Sequence, residues 1–146
     1  MHRVAVSVLV AAGLVLCTPQ AGRSQVPARP AQVELLQNYP NPFNPATTIP
    51  FRLSEAVFAN GHRPVVTLRI YNVLAQLVSI PTMQASGEPL DGLALECHEP
   101  RDGYCEFSAY WDGKYLGTDR DAASGVYVYQ LVVDGQRFSR RMVVMK

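Results

Sequence analysis

Short runs in which apolar and polar residues alternate are the feature of this sequence that most limits its fold. In the run VVTLRIY, for example, Val66, Leu68 and Ile70 fall on one face, with polar residues between them. Because successive side chains of a β-strand point to opposite faces, this spacing predicts a half-buried strand. No stretch of useful length shows the helical period of about 3.6 residues. The pattern therefore predicts an all-β chain.

Several such runs follow one another and are separated by clusters of Gly, Pro, Asn and Asp. They cover residues 48–53, 65–71, 77–80, 90–97, 105–111, 126–133 and 136–145. The last two flank Asp134 and Gly135, a pair that suits a type I′ hairpin turn because both positions tolerate a positive φ. Short strands with turn signals between them predict an antiparallel β-sandwich of about seven strands.

The first 24 residues have the pattern of a secretory signal peptide. A basic start precedes the uncharged apolar run 4–17, which is shorter than the roughly 20 residues that cross a membrane as a helix. A lipid anchor on Cys17 is the alternative, and it is disfavoured because Leu16 stands where a small residue is normally needed. The chain is therefore expected to cross the inner membrane and to act at the cell surface or outside the cell.

The rest of the chain divides into a tether and one domain. Residues 25–37 contain prolines and little periodicity, so they are predicted to form a flexible tether before an ordered domain at residues 38–146. About 120 residues suffice for a single core, but not for a domain and a separate enzyme. Without Arg3 and Arg23, the 13 Lys and Arg residues fall to 11, against 12 Asp and Glu residues. This balance, without charge blocks, gives no nucleic-acid footprint.

Two cysteines remain after the signal peptide, and they enclose the loop CHEPRDGYC. In an oxidising compartment the simplest prediction is a disulfide between Cys97 and Cys105. The alternative is a metal site with His98 as a third ligand. It is disfavoured because the neighbourhood offers no fourth ligand. No metal and no cofactor are therefore expected.

The stretch NYPNPFNPATTIPFRL, residues 38–53, makes a stiff start to the first predicted strand of the domain. Each proline fixes its own φ and favours extended geometry in the residue before it. The asparagines can form local turns with the backbone, and Phe43 can pack on the sandwich edge. The predicted recognition or boundary motif comprises Asn38, Pro40, Asn41, Pro42, Phe43 and Asn44.

Five motifs resemble a known domain family in their order along the chain. NYPNPFNPATTIPFRL, VTLRIYNVLAQLV, YWDG, ASGVYVYQLVVDG and RRMVVMK are similar to the type A C-terminal sorting domain of the type IX secretion system. The similarity spans residues 38–146. The later motifs also resemble the immunoglobulin-like domain of the flagellar hook-capping protein. The resemblance implies an immunoglobulin-like β-sandwich.

In function, the resemblance implies a non-catalytic address label on an exported protein. An outer-membrane translocon would recognise the label, and a sortase-like peptidase would remove it and attach the cargo to a surface glycolipid. Residues 38–44 would then mark the boundary between cargo and label. Two features depart from the family. Ala75 replaces the usual turn glycine, and residues 79–109 form a longer connection than usual.

The final strand is basic, which permits two interpretations. Arg140, Arg141 and Lys146 carry positive charge without a neighbouring acid. They are predicted to contact a partner, such as the translocon or an anionic glycolipid. Alternatively, the charges protect a sheet edge from pairing with other sheets.

The other polar residues give no catalytic pattern. His62 and His98 are isolated, and no serine lies in a nucleophile-elbow context. The aspartates of WDGKYLGTDRDAASG miss the spacing of a calcium loop, so turn chemistry is the better explanation. The chain is therefore not predicted to be an enzyme. A structural or adhesive extracellular domain, and a small binding protein that uses the disulfide loop, are the alternatives to a sorting label.

Overall fold

The computed structural model describes residues 32–146, which form a two-layered β-structure. The predicted signal peptide and residues 25–31 of the predicted tether lie outside the described residues. Within residues 32–146 there is no helix with the length and hydrophobicity that a bilayer crossing requires.

Nine strands and one short 3₁₀ helix make up the described fold. The strands are β1 Val33–Leu35, β2 Thr47–Ser54, β3 Val65–Tyr71, β4 Leu77–Ser79, β5 Thr82–Met83, β6 Leu93–Ala94, β7 Tyr104–Trp111, β8 Gly125–Val133 and β9 Gln136–Val144. The 3₁₀ helix, Glu55–Gly61, follows β2 directly. Its first turn begins at Ser54, whose hydroxyl accepts a hydrogen bond from the Ala56 N–H.

The strands form two antiparallel sheets that pack as a sandwich. One sheet has the order β1-β2-β7-β5, and the other has the order β4-β3-β8-β9, with β6 also paired to β3. Alternating side chains from both sheets fill the space between them, which is why the period-two pattern is so regular in β2 and β8. The predicted all-β, immunoglobulin-like sandwich is confirmed.

The folded domain begins earlier than the sequence pattern indicates. Val33 and Leu35 lie in β1, within the range predicted as a tether, and both are buried against the core. β1 pairs with β2 over three residues, with Leu35 opposite Phe51. Two apolar residues, one on each side of Glu34, are too few to show a period. The sequence pattern here therefore does not distinguish a strand from a loop. Residues 33–35 of the predicted tether are therefore part of the folded domain.

The predicted hairpin between the last two long strands is present. Asp134 and Gly135 both have positive φ, 47° and 84°, as a type I′ turn requires. The Asp134 carboxylate also accepts hydrogen bonds from the Val65 N–H, at 2.9 Å, and pairs with His62 Nε2 at 2.7 Å. The contact with His62, followed by that with the Val65 N–H, lowers the pKa of Asp134. This turn therefore also fixes the start of β3.

Ala75, which stands where the resembled family usually has glycine, adopts a left-handed backbone conformation. Its φ is 59°, in the left-handed region, while the other non-glycine residues with positive φ are Asn or Asp. The Asn72 carboxamide oxygen holds the turn by accepting from the N–H groups of Leu74 and Gln76, at 3.0 Å each. A β-carbon in this region costs about 1 kcal/mol. The Asn72 hydrogen bonds therefore hold this turn with an alanine at positive φ.

Ala75→Gly is expected to raise the free energy of unfolding by about 0.5 to 1 kcal/mol, because the gain at positive φ exceeds the entropy that glycine adds to the unfolded chain. Denaturant unfolding measures the change. Ala85→Gly, in an exposed turn without positive φ, is the matched control and should slightly lower stability. An equal loss of stability in both variants would contradict the assignment of strain to Ala75.

Candidate functional site

Residues 36–45, here called the lead-in segment, connect β1 to β2 and touch both sheets. Tyr39 exchanges two backbone hydrogen bonds with Thr48 of β2, each 2.9 Å long. Phe43 then pairs with β9: its N–H donates to the Val143 carbonyl at 3.1 Å, and its carbonyl accepts from the Met145 N–H at 3.0 Å. The lead-in segment therefore joins the two sheets at one side of the sandwich.

Asn38 is the most buried polar residue of the lead-in segment, with a relative exposure of 2%. Its side-chain amide donates to the Pro40 carbonyl at 3.2 Å and to the Thr47 hydroxyl at 3.0 Å. The Thr47 hydroxyl in turn donates to the same Pro40 carbonyl at 3.0 Å. Because buried polar groups need partners, this closed set fixes the bend of the segment.

A tyrosine of the opposite sheet completes this arrangement. The Tyr129 hydroxyl accepts a hydrogen bond from the Asn38 N–H at 3.1 Å and donates one to the Leu36 carbonyl at 2.8 Å. Burial raises the pKa of Tyr129, so the phenol keeps the proton that this donation requires. Tyr129 therefore ties the lead-in segment to β8 through two backbone groups.

Aromatic side chains fill the space beneath the lead-in segment. Phe43 is almost fully buried and meets Trp111 edge to face, with ring centroids 5.4 Å apart. Trp111 meets Tyr127 in the same manner at 5.8 Å, and its indole N–H donates to the Lys114 carbonyl at 2.9 Å. Such edge-to-face pairs stabilise a core beyond the area that they bury. Trp111 is therefore a core aromatic residue at the end of β7.

The turn after Trp111 packs closely on the end of the lead-in segment. Asp112 accepts a hydrogen bond from the Lys114 N–H at 3.0 Å, which is the turn chemistry expected for this residue. Gly113 has a φ of 80°, and a β-carbon on it would lie 1.9 Å from the Pro45 carbonyl oxygen. Only glycine fits at this position.

The basic residues of the last strand have different surroundings. The Arg140 Nε donates to the Leu35 carbonyl of β1, and the Lys146 ammonium lies 3.4 Å from the Asp121 carboxylate. Arg141 and Arg137 form no ion pair within residues 32–146. Since side chains alternate along a strand, these two arginines share the face opposite to that of the buried Met142. All three arginines are exposed, but only Arg140 contacts β1.

The two cysteines lie on the other side of the sandwich and are bonded. The Cα atoms of Cys97 and Cys105 are 5.7 Å apart, within the range of disulfides. Cys105 belongs to β7, so the bridge anchors the loop to the sheet. Beside it runs a groove of about 680 Å³. The sequence did not predict this groove.

The described residues contain no cluster of three or more His, Cys, Asp or Glu side chains suited to a metal ion. His62 pairs with Asp134, while His98 lies 3.7 Å from the Glu96 carboxylate. The two histidines therefore make separate exposed contacts with carboxylates. No serine or cysteine of the described chain stands next to either of them as a paired nucleophile.

Comparisons of the chain with protein-family models, with curated proteins and with solved structures find no match.

The residues that fix the lead-in segment could be predicted only in part. The asparagine and proline pattern marks Asn38 and Phe43 as special, but gives no indication of their partners. Thr47 and Tyr129 look like ordinary strand residues, and these two partners of Asn38 are 9 and 91 positions away from it. Tyr129 offers one signal, because a tyrosine at an inward position of a strand needs a hydrogen-bond partner.

Asn38→Ala is expected to lower the free energy of unfolding by about 2 kcal/mol, because it removes two side-chain donors from a buried set. Thermal or denaturant unfolding measures the loss. The matched control is Asn44→Ala, since Asn44 lies in the same segment but is exposed. A similar loss in both variants would show that the segment depends on composition and not on the Asn38 contacts.

Gly113→Ala is expected to cost about 3 kcal/mol or more, because the new β-carbon collides with backbone of the lead-in segment as well as straining φ. Gly117→Ala separates the two effects. Gly117 has a similar φ of 69° but open space around it, so only about 1 kcal/mol of backbone strain should appear. Comparable losses in the two unfolding curves would contradict the close approach of Pro45.

Proposed function

We propose that this chain is a non-catalytic sorting module of the type IX secretion system. It directs an exported protein across the outer membrane to the cell surface or the medium. Its partners are the outer-membrane translocon and a sortase-like peptidase, with an anionic surface glycolipid as a further contact. The module acts as a folded surface that partners recognise, and it performs no chemistry of its own.

One observation supports this proposal above the others. Three of the five motifs that carry the family resemblance meet in one part of the fold. Phe43 of the first motif packs on Trp111 of YWDG and pairs with β9, which carries RRMVVMK. Motifs that are far apart in sequence thus stabilise one another. A partner protein can recognise a domain with such contacts by its folded shape, as an address label requires.

The contacts of residues 33–38 support a boundary of the proposed label nearer to the N-terminus than Asn38. Asn38 is buried, and the carbonyls of Leu35 and Leu36 are held by Arg140 and Tyr129. A peptidase needs an extended, accessible segment, so residues 33–38 are poor substrates while the domain is folded. We therefore place the cut between cargo and label before Gln32, and not near Asn38.

The proposed contact surface is also narrower than the basic strand as a whole. Arg140 is occupied by the Leu35 carbonyl, and Lys146 lies near Asp121. Arg141 has no such partner within the described residues, and Arg137 shares its face. Exposed charges of this kind steer a partner and set specificity more than they stabilise a fold. The translocon or glycolipid contact is therefore assigned to Arg137 and Arg141.

A reporter fusion tests the function and the boundary together. Behind a signal peptide, a passive reporter followed by residues 32–146 should cross the outer membrane of a host with a type IX system, whereas the unlabelled reporter should stay in the periplasm. A fusion to residues 38–146 should fail, because it lacks β1 and exposes the core that Val33 and Leu35 cover. Cell fractionation and immunoblotting measure the distribution of the reporter.

Charge reversal separates recognition from folding in the same assay. A fusion with Arg137→Glu and Arg141→Glu should fold normally and lose at least about tenfold in export. Export equal to that of the parent would show that these charges only protect a sheet edge. If the unmodified 32–146 fusion stays periplasmic in a host that exports its own labelled proteins, the sorting function is wrong. A structural or adhesive extracellular domain would then be the better interpretation.

A further inference from the structure

The long connection between β4 and β7 builds a second surface, on the side of the sandwich away from the lead-in segment. Along this connection β5 joins the four-stranded sheet, and β6 pairs with β3 of the other sheet. The disulfide loop then returns the chain to β7. The groove of about 680 Å³ lies among these pieces, within the size range of ligand sites.

The groove contains an uncovered strand edge. On this side β7 pairs with β5 only at Ala109 and Tyr110, and the Gln84 N–H donates to the Ser108 carbonyl at 2.9 Å. Farther along the edge, Tyr104 bonds to Arg101 in the disulfide loop. Between these points the N–H and C=O of Glu106 also point to the β5 side of β7, because backbone groups alternate in direction from one strand residue to the next. No residue of the described chain pairs with them.

Apolar side chains form the base of the groove. Met83 and Leu95 are buried, and Leu93 and Phe107 are partly buried against the core. These four residues come from β5, β6, β7 and the segment just before the disulfide, and all of them line the groove. An apolar side chain entering here would replace contact with water by contact with the core.

The rim of the groove is acidic. Four carboxylates line it, from Glu88, Glu96, Glu99 and Glu106, against the two guanidinium groups of Arg63 and Arg101. With the histidine neutral, these charges sum to minus two. Arg63 is already paired with Glu96 at 3.0 Å, and the other three carboxylates form no ion pair within residues 32–146. The groove therefore favours a positively charged occupant and disfavours an anion.

The wall formed by the disulfide loop is fixed before anything binds. The bridge to Cys105 and the two backbone hydrogen bonds between Arg101 and Tyr104, 2.8 and 2.9 Å long, hold it against the sheet. A wall that is ordered in advance reduces the entropy that binding costs.

We propose that this groove binds an extended, basic polypeptide segment of a partner protein. The segment adds as a short strand to the edge of β7, where it exchanges backbone hydrogen bonds with Glu106. One of its apolar side chains packs on Met83 and Leu95, and flanking Lys or Arg side chains meet the free carboxylates. This combination of edge pairing and side-chain pockets is a recurring way to recognise peptides. The proposal is independent of the sorting function, which concerns the opposite side of the sandwich.

Titration of the purified protein with defined peptides tests the proposal. The probe is capped Lys-Val-Lys-Val-Lys, and amide shifts in a ¹⁵N spectrum measure where and how tightly it binds. Saturable shifts are expected at Glu106 and its neighbours. Capped Lys-Pro-Lys-Pro-Lys has the same charge but fewer N–H donors, so it should bind at least about tenfold more weakly. Capped Glu-Val-Glu-Val-Glu should not bind.

Substitutions in the groove give the matched comparison. The double variant Glu99→Gln and Glu106→Gln preserves side-chain size and should weaken binding of the basic probe at least about fivefold. Asp119→Asn removes an exposed charge outside the groove and should leave binding unchanged. Circular dichroism verifies that both variants fold.

Three results would overturn the proposal. Equal binding of the valine and proline probes would mean that charge alone attracts them. Shifts away from β7, or no change in the double variant, would place binding elsewhere. Shifts that depend on protein concentration without any probe would identify a second copy of the chain as the occupant.

Discussion

The structure depends on the requirement that the buried amide of Asn38 find partners away from water. Its donors reach Pro40 and Thr47, and its backbone N–H reaches Tyr129 of the other sheet. An unpaired polar group at this depth would cost on the order of 1 to 3 kcal/mol, so the surrounding chain can adopt only arrangements that satisfy it. The observed arrangement satisfies this requirement. It includes the bend of the lead-in segment, the contact of β1 with Arg140 and the pairing of Phe43 with β9.

Different elements cover the two sides of the sandwich at which the sheet edges lie. On one side the lead-in segment crosses between the sheets and covers part of β9, and exposed arginines remain beside it. On the other side β5, β6 and a disulfide loop form the closure, with uncompensated carboxylates around a groove. Electrostatic complementarity sets which partners each side accepts, so one small domain presents two surfaces with opposite preferences. The first contains motifs that resemble the sorting-domain family, whereas the second is built by the long connection between β4 and β7.

The sequence predicted those parts of the fold that depend on local patterns. The long strands, the Asp134 turn and the disulfide all follow from residues close in sequence. The sequence did not predict β1, because one apolar residue on each side of Glu34 is too short a pattern. It did not predict β5, because two residues show no period. The partners of Asn38 and the groove at Glu106 depend on which strands become neighbours. Packing of the whole core determines which strands are neighbours, and no single segment of the sequence predicts it.

The strand β1 has a mechanical consequence for anything attached in front of it. Gln32 lies beside Ser54 at one end of β2, whereas Phe43 and the end of β9 lie at the other end, beside Trp111. Tension from the upstream chain therefore acts along β1, parallel to the strand that it pairs with. Under such tension the hydrogen bonds between β1 and β2 and the Arg140 contact are loaded in shear. They must therefore break together and not one after another. The domain is built to resist a pull from its N-terminal side as a single unit, whatever load that side carries.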